Sequence, residues 1–334
     1  MKKIRVAIVG FGGIARIHYN AYMALIKEGM PLEIVAICEK NKESVRNKVT
    51  INLGTDTLPV SDDIEIFGDV DELIDKADFD LADVCLPTFL HKNIAMKLLG
   101  AGKHVLCEKP MALSSADCLE MISSADAAKH CLMIAQCLRY EPCYLYLKEC
   151  FESKVFGDLK YVTMYRLSEY PRWSPAFADN KVTGGCALDT HIHDIDVARH
   201  IFGDPVSVSA TEFVKMPFCQ HINSRLDYSG FKVLAECCWD EARAKPFEAG
   251  YRAFFENATL VCEGEDVTVY ENGKEPYAAE FAKKDRIVEE IRAMLIAIDS
   301  AEGCGELSSG AYKSVALIEK LRESAASEGK TIKL

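Results

Sequence analysis

A basic excess is missing from this chain: 39 Lys and Arg stand against 51 Asp and Glu, a formal net charge of −12 over 334 residues. Phosphate backbones and anionic bilayers select for the opposite balance, so neither a nucleic acid nor a membrane surface is expected as a partner. No apolar run approaches the length of a membrane span. No charged-then-apolar leader and no twin arginine stands near Met1, and a cytoplasmic protein is expected. The fourteen cysteines include no C-x-x-C pair, which excludes the usual thiolate-zinc and dithiol-redox spacings. Cys38, Cys85, Cys107 and Cys137 lie within apolar, strand-like runs, where cysteine acts as a small hydrophobe, and inert buried thiols are expected. Internal repeats and low-complexity segments are absent too. Ser327-Glu328-Gly329-Lys330-Thr331 has half the shape of a phosphate loop, but it lacks the upstream glycine and carries no nucleotide reading.

With 49% hydrophobic residues the chain can bury a full core, and its length predicts two domains. The most informative segment is the first. The apolar run Ile4–Val9 stops at Gly10-Phe11-Gly12-Gly13-Ile14-Ala15, and a helical pattern follows from Arg16 to Ile26. This is the strand, glycine turn and helix of a dinucleotide site: Gly10 allows the tight turn, Gly12 lets backbone approach a pyrophosphate, and small Ala15 lets helix pack on strand. The helix N-terminus then faces the phosphates. A second apolar run, Leu32–Cys38, ends at Glu39, about where an acid accepts hydrogen bonds from the adenosine ribose. A carboxylate there repels a 2′-phosphate, which favours NAD, while the adjacent Lys40 leaves NADP open.

Strand and helix patterns continue to alternate, as a parallel, doubly wound sheet requires. Asp80–Leu86 reads as a strand ending at Pro87-Thr88, Lys92–Leu99 as a helix, His104–Cys107 as the next strand with Glu108-Lys109-Pro110 at its carboxyl end, and Cys131–Cys137 as the last. Beyond it, strand-like runs at 159–167, 206–214, 232–238, 251–262 and 267–270 cluster with few helices between them, and helices return at 285–298 and 310–326. The expectation is a Rossmann dinucleotide-binding domain over residues 1–138, followed by an α+β domain over 139–334 built on a large, mostly antiparallel sheet. That domain is expected to bind substrate. Its helices are too few to cover both faces of such a sheet, so one face is expected to pack against a second copy, in a homodimer or homotetramer.

Two places carry chemistry. Lys109 stands at a strand's carboxyl end, where open α/β sheets bind ligands. Leu188, Ile192, Ile195 and Phe202 have helical spacing and predict one helix over 188–202, ended by Gly203. On it, Asp189 and His193 share a face, with Asp196 and His200 further along. A carboxylate and an imidazole one turn apart suit proton transfer, and they also suit an ordinary surface pair. His191 and His193, two residues apart, point to different faces and cannot readily share an ion, so no metal is expected.

Together these residues resemble the Gfo/Idh/MocA oxidoreductases. The resemblance rests on Gly10-x-Gly12-x-x-Ala15 with His18 beyond it, Pro87-Thr88-x-x-His91, Ala101-Gly102-Lys103-His104-Val105-Leu106-Cys107-Glu108-Lys109-Pro110, and Asp189-x-x-x-His193-x-x-Asp196. It implies that Lys109, Asp189 and His193 are catalytic and that Pro87, Thr88, His91, Glu108 and Lys109 join Gly10 to Ala15 and Glu39 around the cofactor. It also implies hydride transfer between nicotinamide and the secondary alcohol of a sugar or polyol, with His193 as base and Lys109 stabilising the alkoxide. Relatives of two other kinds are implied as alternatives: an NAD-assisted glycosidase that oxidises its sugar transiently, and a cofactor-binding regulator without catalysis. His191 stands where the family often has glycine and is expected to line the substrate pocket. Arg139, Tyr140, Arg172 and Trp173, whose stacking and donor groups suit a sugar, are the further substrate candidates.

Overall fold

A strand covered on both faces has no need of alternation, and the first strands of this chain are of that kind. The structure, a computed structural model, describes residues 2–47, 58–172, 174–215, 219–300 and 304–334. It divides into two compact units: Met1–Ala112 with Ala116–Cys137 and Asp285–Tyr312, and Leu113–Ser115 with Leu138–Lys284 and Lys313–Leu334.

In the first unit the chain runs β1 (Ile4–Val9), α1 (Gly13–Lys27), β2 (Leu32–Cys38), β3 (Glu65–Phe67), α2 (Val70–Lys76), β4 (Leu81–Val84), α3 (Thr88–Gly100), β5 (His104–Glu108), α4 (Ser115–Ala128) and β6 (Leu132–Ala135). The six strands lie parallel in the order β3-β2-β1-β4-β5-β6. Every residue of β4 and of β6 is buried, which explains why these strands read as continuous apolar runs. Register sets Val9 opposite both Cys38 and Val84, and Val84 opposite Cys107, so the carboxyl ends of β1, β2, β4 and β5 come level. The strand order reverses between β1 and β4, which opens the crevice where such sheets take ligands.

The second unit begins with α5 (Pro142–Ser153) and β7 (Leu159–Ser168). It continues through α6 (Asn180–Thr183), α7 (Gly185–Asp189), α8 (Ile192–Phe202), β8 (Ser207–Lys215), β9 (Cys219–Asp227), β10 (Lys232–Trp239), β11 (Glu248–Phe255), β12 (Ala258–Glu263), β13 (Asp266–Glu271) and β14 (Tyr277–Ala278). With β15 (Ile332–Lys333) these form a nine-stranded sheet in the order β14-β13-β12-β11-β7-β10-β9-β8-β15, antiparallel except where β7 meets β10. Two sequence expectations change here. The single run 251–262 is a hairpin, broken at Glu256-Asn257, whose N–H groups donate to the carbonyls of Asp158 and Phe156. The polar β9 was not anticipated; it holds its place through Gln220, Ile222, Ser224 and Leu226, which all face inward.

The chain then returns to the first unit. There α9 (Arg286–Ser300) packs along α1, and α10 (Cys304–Ala326) supplies its first turns before entering the second unit. Residues 285–312 therefore belong with the sheet that precedes them by 150 residues or more in sequence, and not with the domain in which a simple division at 138/139 would leave them. Cys131 and Cys304, with Cα atoms 4.9 Å apart, are joined by a disulfide, a departure from the expected free thiols. Cys38, Cys85, Cys107, Cys118, Cys143, Cys150, Cys186, Cys237, Cys238 and Cys262 are free and buried, and Cys137 is free and half-buried.

Inside the second unit, α8 is fastened by buried charge. Arg166 of β7 makes two bonds to Asp194, Nε to Oδ2 and a terminal nitrogen to Oδ1, both 3.0 Å, with Asp194 wholly buried. Burial opposes the guanidinium charge, but the Asp194 carboxylate outweighs it and holds Arg166 more firmly protonated than usual. Removing one partner strands the other. We expect Arg166→Met to cost about 3–5 kcal/mol in urea unfolding, and Arg166→Met with Asp194→Leu to recover most of that loss. A single variant as stable as the parent would show that the pair does not carry this load.

Candidate active site

The level strand ends bring the predicted cofactor residues of the first unit together. Gly10 has φ +84°, and a Cβ there would lie 2.7 Å from the Cys85 carbonyl oxygen, so the turn admits only glycine. Gly12 differs. Its φ of −78° is open to any residue, and a Cβ would meet nothing within 4 Å. The space ahead of Gly12 is thus free, and the first turn of α1 has neither a capping side chain nor an acidic residue. That leaves its N–H groups and positive end available to an anion. Ala15 is wholly buried, as close helix-strand packing requires.

Glu39, just past β2, already answers the glycine turn: Oε2 accepts from the Phe11 N–H at 2.9 Å and Oε1 from the Asn41 N–H at 3.1 Å. The Phe11 ring is buried beneath the Arg16 guanidinium, 4.7 Å from its centroid, and Arg16 in turn donates to the Ser44 and Val45 carbonyls. These residues fit a dinucleotide: a turn open in front of Gly12, an uncapped helix N-terminus and an acid beside the turn.

Pro87 precedes α3, and Thr88 opens it. His91, one turn in, is buried, and burial first of all pushes its pKa down. Its Nε2 lies 2.7 Å from the Leu86 carbonyl and its Nδ1 2.9 Å from the Pro110 carbonyl. Both ring nitrogens face main-chain carbonyls, one in the turn after β4 and one in the turn after β5, and a neutral ring donates its single N–H to one of them. Glu108 is likewise turned inward, with one carboxylate oxygen accepting the Lys109 N–H at 2.9 Å.

In the second unit the expected single helix over 188–202 is two. α7 ends at Asp189, Thr190-His191 form a turn, and α8 starts at Ile192. The break is pinned from the sheet side, by Trp239 Nε1 donating to Thr190 Oγ1 at 2.9 Å and by His191 Nε2 standing 2.8 Å from Ser224 Oγ. From Thr183 to Ala198 only Asp189, Thr190 and His193 escape burial. The segment is a buried support with one open rim, and the rim carries the predicted carboxylate and imidazole.

Several predicted substrate contacts move inward. His191 is wholly buried, and burial, with Arg166 nearby, pushes its pKa down to about 3; it is a core residue and not a pocket wall. Arg139 is bound to Asp196 by two 2.7 Å bonds, and Ser314 Oγ donates to the same carboxylate, so this guanidinium braces α8. Arg172 stacks 5.7 Å from the centroid of the Tyr170 ring. Tyr140 is half-buried, and Trp173 lies outside the described residues. His200 is pushed down to about 4 by burial and by Lys148 and Arg139. Asp83, Trp239, Ser224 and Arg166 were missed by the sequence reading. Asp83 left a signal there, an acid inside the apolar run from Leu81 to Leu86, which burial makes costly unless it is paired.

Residues 4–136 match the family described as an oxidoreductase family with an NAD-binding Rossmann fold, and residues 144–261 match the GFO/IDH/MocA C-terminal domain. Similar sequences include the myo-inositol 2-dehydrogenase of Thermotoga maritima, 28% identical over 61% of this chain and 56% of the relative. Another is the glucose-6-phosphate 3-dehydrogenase of Bacillus subtilis, 31% identical over 60% of this chain and 54% of the relative. The chain spans about half the length of these relatives. The aldose-aldose oxidoreductase of Caulobacter crescentus, solved with glycerol, shares the fold with a TM-score of 0.83 at 22% identity, over 100% of both chains.

Gly10 and Gly12 make opposite demands, and substitution separates them. Gly10→Ala should lower stability by about 1–3 kcal/mol or more, from a backbone conformation that alanine resists. Gly12→Ala should leave the unfolding midpoint unchanged while weakening NAD binding at least about tenfold in calorimetric titration. The same titration of the parent should show NADP binding more weakly than NAD, because of Glu39. Unchanged NAD affinity in Gly12→Ala would refute the cradle.

Proposed function

The chain belongs to the Gfo/Idh/MocA oxidoreductase family, and from that premise we propose that it is a dehydrogenase that transfers hydride between the secondary alcohol of a sugar or polyol and NAD. The observation that carries this reading is the open rim of Asp189, Thr190 and His193 on an otherwise buried segment. Bound nicotinamide supplies the hydride acceptor, and the remaining work falls to side chains. His193 takes the hydroxyl proton at Nε2, since its Nδ1 is buried. Lys109 donates to the same oxygen and stabilises the charge that develops on it as the carbonyl forms. Asp189 orients the imidazole or holds a neighbouring hydroxyl, and Tyr140 and Arg172 are the remaining substrate contacts. The names of the two sequence relatives support a polyol or a sugar. The net charge of −12 favours a neutral substrate over a phosphorylated one.

A homo-oligomer is part of the same reading. α7 and α8 pack on one face of the nine-stranded sheet. The outward positions of β8 and β11 include Phe213 and Phe254, 59% and 37% exposed. Such a face fits a second copy of itself, as two-sided sheets ordinarily demand. Light scattering at micromolar concentration should therefore give a multiple of the one-chain mass of 37.1 kDa, and a 37.1 kDa particle would end the idea.

The chemistry is tested by single turnover with bound NAD against a panel of polyols and aldoses, read as reduced-nicotinamide absorbance. His193→Ala should lower the rate by roughly 10²- to 10⁴-fold with NAD affinity unchanged. Lys109→Met should cost a comparable factor, and the double variant less than the product of the two, because groups acting as one unit are not additive. If His193→Ala transfers hydride as fast as the parent at every pH, His193 is not the base.

A further inference from the structure

Beneath the strand ends of the first unit lies a buried charge cluster that the proposed chemistry does not use. His18, on α1, is wholly buried between two carboxylates: Nδ1 is 2.9 Å from Asp83 Oδ2, and Nε2 is 3.2 Å from Glu108 Oε1. Asp83 lies in the middle of β4 and is itself wholly buried. Nδ1 is hydrogen-bonded to Asp83, whereas Nε2 faces Glu108 as an ion-pair contact without hydrogen-bond geometry, so the pairing is one of charge: two neighbouring carboxylates favour the ring as its cation. The surroundings agree. Burial opposes the His18 cation, but Asp83 outweighs it and keeps the ring protonated well above its ordinary range. Burial would also raise Glu108, yet the neighbouring His18 leaves it below the ordinary carboxylate range.

The other oxygen of Glu108 accepts the Lys109 N–H. Two residues on, the Pro110 carbonyl is held by His91. The main chain of Lys109 is thus bracketed by two buried histidines, one acting through Glu108 and the other directly. We propose that His18 is a positioning residue: held by Asp83, it locks the Glu108 carboxylate against the Lys109 amide and so sets the backbone from which the Lys109 side chain acts. This rests on the role given to Lys109 above. A metal site is the competing use of His18, Asp83 and Cys85, whose ligand atoms lie within 4.8 Å of one another. Nδ1, however, is already hydrogen-bonded to Asp83, Nε2 faces Glu108, and burial together with Asp83 favours the Cys85 thiol over the thiolate a metal would need. Other titratable groups facing the cluster include Tyr22 of α1, Cys107 of β5, Glu290 of α9 and His91 of α3.

The test is amide hydrogen exchange at Lys109 in the full chain, which needs no substrate. His18→Gln should speed exchange at least about tenfold while NAD affinity stays within about twofold, since the glycine turn is intact. His18→Gln leaves two carboxylates facing each other and lowers stability, so Glu108→Ala, which leaves a plain His18–Asp83 pair, is the second variant. It should lose the same protection, and Glu108→Gln, which keeps an oxygen for the Lys109 N–H, should restore it. With a substrate in hand, His18→Gln should lower kcat by roughly 10- to 100-fold with KM little changed, the signature of a misplaced catalytic group. Unchanged Lys109 exchange in both His18→Gln and Glu108→Ala would overturn the proposal. So would a stoichiometric metal ion, detected by elemental analysis, that His18→Gln releases. If exchange responds as expected but the parent oxidises no polyol or sugar, the positioning stands and the proposed function fails.

Discussion

Charge taken out of water has to meet charge of the other sign, and that constraint organises both halves of this molecule. An unpaired buried ion costs several kcal/mol even after the protein relaxes around it. Several buried ionic groups meet opposite charge within their own unit: Asp83 and Glu108 flank the single imidazole of His18 in the first, and Asp194 pairs with Arg166 and Asp196 with Arg139 in the second. The matched groups are not the ones given chemical roles. Two of them lie beside the proposed catalytic residues in sequence, Glu108 next to Lys109 and Asp194 next to His193.

The topology explains why pairing of this kind is available. Parallel strands in register end at one level, and a residue that ends one strand is neighbour to residues separated from it by tens of positions. Glu39 reaches the Phe11 amide, and Gly10 presses on the Cys85 carbonyl, because β1 lies between β2 and β4. In the second unit the same service is performed by a broad sheet under a short helix. β7 supplies Arg166, β9 supplies Ser224 and β10 supplies Trp239, each to a different residue of the broken α7–α8 segment. The break exposes Asp189 and His193 at one edge while the flanking residues stay inside.

Much of this was legible from residue order alone, for reasons that differ from place to place. The first unit reads well because buried parallel strands are apolar from end to end and because the glycine turn is a local device, fully contained in Gly10 to Ala15. The large sheet reads as antiparallel from its clustered runs, but β9 escapes notice, since a strand with one covered face needs only alternate residues inside and Gln220 and Ser224 fill two of those places with polar side chains. The helix over 188–202 has the right apolar spacing; its interruption comes from Trp239 and Ser224, some 30 to 50 residues away. Packing of 285–312 on the first sheet is likewise decided by contacts with α1 that no local pattern records.

Histidine shows most clearly where residue type stops being informative. The sequence has eight, and four of them near the candidate site meet four environments. His18 sits between two carboxylates and keeps its charge. His91 sits between two carbonyls, and burial weakens its cation. His191 sits beneath a helix beside Arg166 and is driven to about 3, so it is neutral under any ordinary condition. His193 stays at the rim. Spacing sets His193, and not His191, on one face with Asp189, and the structure separates the two rings further: one is a core residue and the other is half-buried at the rim. What separates them is the turn at Thr190-His191, which sends the first ring down to Ser224 and leaves the second outside. Which imidazole stays at the rim is settled by the sheet to which the helix is pinned.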